Sequence, residues 1–177
     1  MKKLLSLVAA MGLLSFVGCG GKDSSPVTPE ATYSFDETFV PFQSAGGFRL
    51  GDTYATLVAD HGEPVRTWPP TADSDGNLCS QAWYGDRDFT VFLADADGDG
   101  QLSNNDTVKT IFARANVKWN GVGTGSTRAE IVSVFGNPVG QSSDRALMMY
   151  INSTAYTVFF IGTSNVVEEV DIGLIWN

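Results

Sequence analysis

The stretch that decides the fold is Phe89-Thr-Val-Phe-Leu-Ala-Asp-Ala-Asp-Gly-Asp-Gly-Gln-Leu-Ser-Asn-Asn-Asp-Thr-Val-Lys-Thr-Ile-Phe112. Its two ends, residues 89–93 and 107–112, are rich in β-branched and aromatic side chains, which is typical of β-strands. Between them, residues 95–106 contain four Asp, two Gly and two Asn, which are residue types that favour turns. The sequence therefore predicts a β-hairpin with a long acidic loop at its tip.

The spacing of the acidic residues in this loop points to a metal. The loop has the form D-x-D-x-D-G-x5-D and resembles the calcium loop of the EF-hand, with Asp in place of the final Glu. The resemblance implies the ligands Asp95, Asp97, Asp99, Gln101 through its backbone carbonyl, Ser103 directly or through water, and Asp106. Because Asp is shorter than Glu, we expect a structural Ca²⁺ of modest affinity, with a Kd of about 10⁻⁴–10⁻³ M. The alternative is an acidic turn without a metal.

Two further segments are copies of each other. Residues 51–64 match residues 125–138 without a gap, at an offset of 74. Each copy has the pattern of a short helix with a polar cap at its start and a glycine at its end. The expected N-caps are Thr53 and Thr127, with Glu130 completing a capping box, and the expected glycines in the left-handed conformation are Gly62 and Gly136. Strand-like runs follow each copy, and residues 89–93 correspond to residues 156–160.

This duplication predicts an α+β fold. We expect two tandem repeats, each a short helix packed on an antiparallel three- to four-stranded sheet. Repeat 1 covers residues 41–118 and carries the calcium loop as an insertion, and repeat 2 covers residues 119–177. On this interpretation the ion stabilises a long turn whose closure otherwise costs entropy.

The repeated pattern resembles the BamE/SmpA–OmlA lipoproteins and the tandem repeats of the β-lactamase-inhibitor-protein-like (BLIP-like) fold. The residues that carry this resemblance are Gly51, Thr53, Leu57, Gly62 and Pro64 in the first copy, and Gly125, Thr127, Ile131, Gly136 and Pro138 in the second. The resemblance implies a sheet surface that binds other proteins. It transfers no functional residue, because the shared positions are structural.

The N-terminus predicts an address in the cell envelope. A basic start, Met1-Lys-Lys, precedes an apolar run over residues 4–17 that is too short to span a membrane as a helix. Phe16-Val-Gly-Cys19 resembles the lipobox of bacterial lipoproteins, which implies a signal peptide over residues 1–18, lipidation of Cys19 and a flexible lipid-anchored tether over residues 19–40. The protein would then be extracytoplasmic, and on the outer membrane in a Gram-negative host. An ordinary secretory signal is the alternative.

Charge and cysteine content exclude several classes of function. Without residues 1–18 the chain has 9 basic and 20 acidic residues, so nucleic acids and anionic lipid surfaces are not expected partners. Membrane contact is expected through acyl chains on Cys19. The second cysteine, Cys79, is expected to be a buried thiol, and His61, the single histidine, a helix-terminal residue.

These observations predict a lipoprotein of the bacterial envelope that is not an enzyme and that presents a calcium-stabilised surface to another envelope protein. A long loop starting at Trp68-Pro-Pro70, absent from the second copy, is the expected partner contact. The first alternative is an inhibitor of an envelope hydrolase such as a β-lactamase. A hydrolase with a catalytic metal in the acidic loop is a further alternative.

Overall fold

The computed structural model describes residues 35–72, 76–85, 88–142 and 146–175, all within one unit, Thr32–Asn177. The predicted signal peptide, Cys19 and most of the tether lie outside these residues. The helices are α1 (Tyr54–His61) and α2 (Arg128–Phe135). The strands are β1 (Phe39–Val40), β2 (Ser44–Ala45), β3 (Phe48–Arg49), β4 (Arg66–Ala72), β5 (Leu78–Tyr84), β6 (Phe89–Ala94), β7 (Thr107–Ala113), β8 (Lys118–Trp119), β9 (Val122–Gly123), β10 (Gly140–Ser142), β11 (Ala146–Ile151), β12 (Ala155–Ile161) and β13 (Val167–Leu174).

Eight of these strands form one antiparallel sheet in the order β10-β11-β12-β13-β7-β6-β5-β4. Each half is a four-stranded meander that follows one helix. The halves meet where β13 pairs with β7, in the register Val170↔Ala113 to Gly173↔Thr110. The predicted hairpin is confirmed, since β6 and β7 pair antiparallel around the acidic loop. Strands β1–β3 and β8–β9 form two small additional sheets.

The predicted α+β fold with two small sheets in tandem repeats is wrong. The protein is mostly β, with 48% strand against 12% helix, and the strands form one large sheet. Had the two halves kept separate sheets, β7 and β13 would each have been an edge strand with unpaired backbone N–H and C=O groups. Their pairing satisfies those groups and joins the halves.

One face of the large sheet forms the core. Side chains alternate along a strand, so Phe89, Val91 and Leu93 of β6 all lie on this face, and all three are fully buried. Both helices cover the same face, because Leu57 of α1 and Ile131 of α2 belong to the same buried cluster. The opposite face carries no helix within the described residues.

The predicted helix starts are confirmed. The Thr53 hydroxyl accepts a hydrogen bond from the Thr56 amide, and Thr127 forms the full capping box with Glu130. The left-handed conformation predicted for the glycines that end the helices is wrong in the angle ψ. Gly62 has φ 79° but ψ −176°, so the chain leaves the helix extended, while its N–H still donates to the Val58 carbonyl. A positive φ explains why glycine is suited to this position.

The predicted loop at Trp68-Pro-Pro70 is also wrong, because these residues lie in the edge strand β4. The register with β5 shifts between Trp68 and Thr71, which accommodates the two prolines that lack an N–H. Prolines and a bulge make β4 a poor template for pairing with a further strand.

Residues 35–50 pack against the core. Phe39 and Phe48 are fully buried, and Phe35 stacks near Phe89 with ring centroids 4.7 Å apart. Phe42 has a positive φ of 65°, and its amide donates to the Thr157 hydroxyl of β12.

Neither α1 nor α2 is long or apolar enough to cross a membrane, and they are the only helices in the described part of the chain.

Candidate calcium loop and open sheet face

The acidic loop lies at the tip of the β6–β7 hairpin. Asp95, Asp97 and Asp99 each place a carboxylate oxygen in a cluster whose atoms all lie within 4.8 Å of one another. Asp97 and Asp99 are exposed and Asp95 is half-buried. The three carboxylates therefore converge at a point that a cation can reach from solvent.

Backbone amides of the loop hold these carboxylates in place. Asp95 accepts hydrogen bonds from the Gly98 amide at 2.7 Å and the Gly100 amide at 2.9 Å. Asp97 accepts from the Asp99 amide at 3.3 Å. Gly98 and Gly100 both have φ of 73°, so glycine suits the two tightest points of the loop.

The remaining predicted ligands have different positions. Asp106 is fully buried, and its carboxylate accepts hydrogen bonds from the Ala96 amide at 3.2 Å, the Ser103 amide at 3.1 Å and the Ser103 hydroxyl at 3.0 Å. The Gln101 amide donates to Asp99 at 2.7 Å. Asp106 and Ser103 therefore hold the base of the loop together, and the convergent cluster consists of the first three aspartates.

The electrostatics of the cluster are uneven. The hydrogen bond from the Gly100 amide, assisted by that from Gly98, lowers the pKa of Asp95. The Asp99 amide also acts to lower the pKa of Asp97, but desolvation and the neighbouring Asp99 and Asp95 carboxylates outweigh it, so that pKa is raised. Like charges at this spacing repel each other, and a dication would relieve the repulsion.

The loop is tied directly to helix α1. The Tyr54 amide donates to the Asp106 carbonyl at 2.8 Å, and the Ala55 amide donates to the Asn104 carbonyl at 3.2 Å. These are two of the first helical N–H groups, which have no partner inside the helix. The conformation of the loop therefore determines how α1 begins.

The open face of the sheet is a second candidate site. A sheet surface that binds proteins was implied by the resemblance, but the residues that form it were not predicted. The strand registers define a row of side chains that crosses this face from one edge to the other: Arg66, Trp83, Thr90, Phe112, Asp171, Val158, Met149 and Gly140. Aromatic pairs cover much of it. Trp68 and Trp83 lie 4.0 Å apart, and Phe92 and Phe112 lie 4.8 Å apart, measured between ring centroids. All four rings are partly exposed.

Asp171 lies near the middle of this face. Its neighbours in the chain, Val170 and Ile172, belong to the buried core, so the Asp171 side chain is directed to the open side. It is only 6% exposed, and within the described residues its Oδ1 atom has no hydrogen-bond partner. Burial, and after it the Glu169 carboxylate, raise the pKa of Asp171 to about 8 against the opposing effect of Arg114. The sequence signal was an acid directly between two apolar residues of one strand, Val170 and Ile172.

His61 and Cys79, which the sequence also singled out, are both packed against other parts of the protein. The ring of His61 stacks on Phe48 with centroids 4.1 Å apart, and desolvation lowers its pKa against the opposing effect of Asp60. Cys79 is a buried thiol outside any disulfide in the described region, as expected.

Comparison with known proteins gives no functional assignment. No family model matches the sequence, and no curated protein is similar to it at a significant level. A solved structure of a DUF4309 family protein (YjgB) from Bacillus subtilis shares 14% identity with this chain, with a TM-score of 0.44. The similarity covers 73% of this chain and 83% of that protein.

Proposed function

We propose that this protein is a non-enzymatic binding module of the bacterial cell envelope, which presents the open face of its sheet to another envelope protein. The observation that carries the proposal is two pairs of partly exposed aromatic side chains on the sheet face opposite the helices, Trp68 with Trp83 and Phe92 with Phe112. Large aromatic residues are enriched at protein interfaces and dominate their energetics.

The acidic loop is proposed to bind a structural Ca²⁺. Asp95, Asp97 and Asp99 would hold the ion, with the Gln101 carbonyl as a further ligand and Ser103 and Asp106 supporting the loop from its base. The ion would neutralise the three crowded carboxylates and fix the tip of the β6–β7 hairpin. Because the loop also binds the first amides of α1, the same ion would stabilise the start of that helix.

The proposed location rests on the sequence. The lipobox-like Phe16-Val-Gly-Cys19 supports a lipid anchor at Cys19, with the acyl chains providing the contact with the membrane. The strongly acidic chain disfavours binding to nucleic acids. A Gram-negative host would place the protein on the outer membrane.

Calcium binding is tested by calorimetric titration of the chelator-treated full-length chain. We expect saturable heat with a Kd of about 10⁻⁴–10⁻³ M. The double variant Asp97→Ala/Asp99→Ala should remove the heat, and Asn105→Ala, an exposed residue of the same loop, should retain it. Absence of heat from the wild-type chain at millimolar Ca²⁺ would refute the calcium site.

A second candidate function is inhibition of an envelope hydrolase such as a β-lactamase. It is favoured by one observation: residues 96–101 of the loop are all exposed, so the hairpin tip is accessible to a cleft of another protein. Purification of the lipidated protein from detergent-solubilised envelope separates the two functions. Capture of a hydrolase whose activity falls on binding favours inhibition, and capture of barrel-assembly components favours the scaffold.

A further inference from the structure

The open sheet face contains one acidic group that lacks a counter-charge of its own. The charged side chains that shift its pKa are Glu169, on the same strand, and Arg114, directly after β7. Arg114 donates to the Glu169 carboxylate and forms an ion pair with it. The cation of this region is therefore already engaged with a different acid.

Asp171 is also surrounded by apolar and aromatic groups. Strand pairing places Phe112 on one side of it and Val158 on the other. The ring of Tyr156 lies over Gly173, where a Cβ atom would come within 2.3 Å of the ring carbon Cζ. The Tyr156 hydroxyl is hydrogen-bonded to Thr110 on the far side, so no described bond connects it to Asp171.

We propose that Asp171 is the specificity-determining residue of this face, and that it pairs with one basic side chain, Arg or Lys, that projects from an otherwise apolar surface of the protein partner. The inference rests on the proposed protein-binding function and names the chemistry of the partner. A cation at the exposed edge of the Asp171 carboxylate would supply the counter-charge that the described residues do not, and Phe112 and Tyr156 would contact the apolar stem of the basic side chain.

Arg66, a second basic residue on this face, is far from Asp171. The Arg66 guanidinium carbon lies 4.5 Å from the centre of the Trp68 ring, at the edge strand β4. Three strands, β5, β6 and β7, separate β4 from β13 in the sheet. The ion pair found in this region joins Arg114 to Glu169, so we infer that a cation for Asp171 comes from the partner.

The test is photo-crosslinking of the full-length chain in its native host envelope. A benzophenone amino acid is placed on the open face at Trp83 or Phe112 and, as a control, at the exposed Val134 of α2. Each probe is combined with wild-type Asp171, with Asp171→Asn, or with the control Glu168→Gln, an exposed acid of the same strand that lies outside the Arg114–Glu169 ion pair. Asn keeps the shape of a protonated Asp but cannot carry the negative charge.

We expect adducts from the face positions to a protein segment that contains Arg or Lys. Asp171→Asn should lower the adduct yield by about 30-fold or more, because the partner's cation loses its counter-charge, and Glu168→Gln should change it by less than about 3-fold. The pH dependence of the adduct yield separates this role from a merely structural role of Asp171. Pairing with a cation requires the ionised carboxylate, so wild-type yield should rise with pH between 6 and 8 and the Asn variant should not respond.

Several results would overturn the inference. Face adducts that survive Asp171→Asn, or that map to segments without a basic residue, would refute it while leaving the proposed binding function intact. Adducts only between two copies of this chain, or only from the Val134 probe, would also refute it. Absence of adducts from all three positions would remove the proposed function as well.

Discussion

Replacing Asp171 by Asn should remove a large part of the pH dependence of the stability of this protein. The folded-state pKa of Asp171, about 8, lies far above its ordinary value of 3.8. Between these values the folded protein holds a proton that the unfolded chain has released. The contribution of the Asp171 carboxyl to the free energy of unfolding is therefore fully present at low pH and is lost as pH rises toward 8.

The size of this loss follows from the linkage relation. The free energy of unfolding should fall by about 1.4 kcal/mol for each pH unit inside the window. At pH 7 the wild-type chain would then have lost on the order of 4 kcal/mol through Asp171. This value is an upper limit, because local opening between β7 and β13 would hydrate the carboxylate. A loss of this size is a large fraction of the stability of a typical domain.

The assay is urea unfolding of both chains at several pH values from 5 to 8, followed by tryptophan fluorescence. The Asn variant has no proton to lose, so it should be more stable than wild type by a few kcal/mol at pH 7 and by much less at pH 5. Titration of His61 affects both chains equally and cancels in the difference. Parallel pH curves for the two chains, or a variant less stable than wild type at pH 7, would refute this account of Asp171.

Two further predictions concern a close contact and the metal. Gly46→Ala should destabilise the protein by about 3 kcal/mol or more, because Gly46 has φ +63° and a Cβ would lie 2.1 Å from Cζ of Phe89. The control Gly51→Ala, with φ +86° and open space around it, should cost about 1 kcal/mol in the same unfolding assay. Calcium at ten times its Kd should stabilise the chain by about 1.4 kcal/mol, visible as a rise in melting temperature that chelator reverses. An equal rise in the Asp97→Ala/Asp99→Ala variant would show that the effect does not come from the loop.

Local structure could be predicted from the sequence because its causes are local. The Thr127 hydroxyl, Glu130 three residues later and Gly136 at the end are enough to define α2. The β6–β7 hairpin follows equally from two β-rich runs around a turn-rich loop. Even there, the spacing alone did not reveal that Asp106 would be fully buried and bonded to the loop's own amides.

The single large sheet could not be predicted in the same way. Alternation along a strand determines which side chains share a face, but it does not determine which strand edges pair. The pairing of β7 with β13 joins residues about 60 positions apart, and no local pattern reports it. The importance of Asp171 depends on that pairing, because Phe112 becomes its neighbour only when the two halves meet.

The place of β13 in the sheet has a consequence for biogenesis. It is the last described strand in the chain, yet it lies between β12 and β7 in the middle of the sheet. A chain emerging N-terminus first can form β4 to β7 early, but the exposed side of β7 stays unpaired until residues near 170 have emerged. Completion of the large sheet therefore waits for residues near 170, and until then the free edge of β7 is open to pairing with other strands.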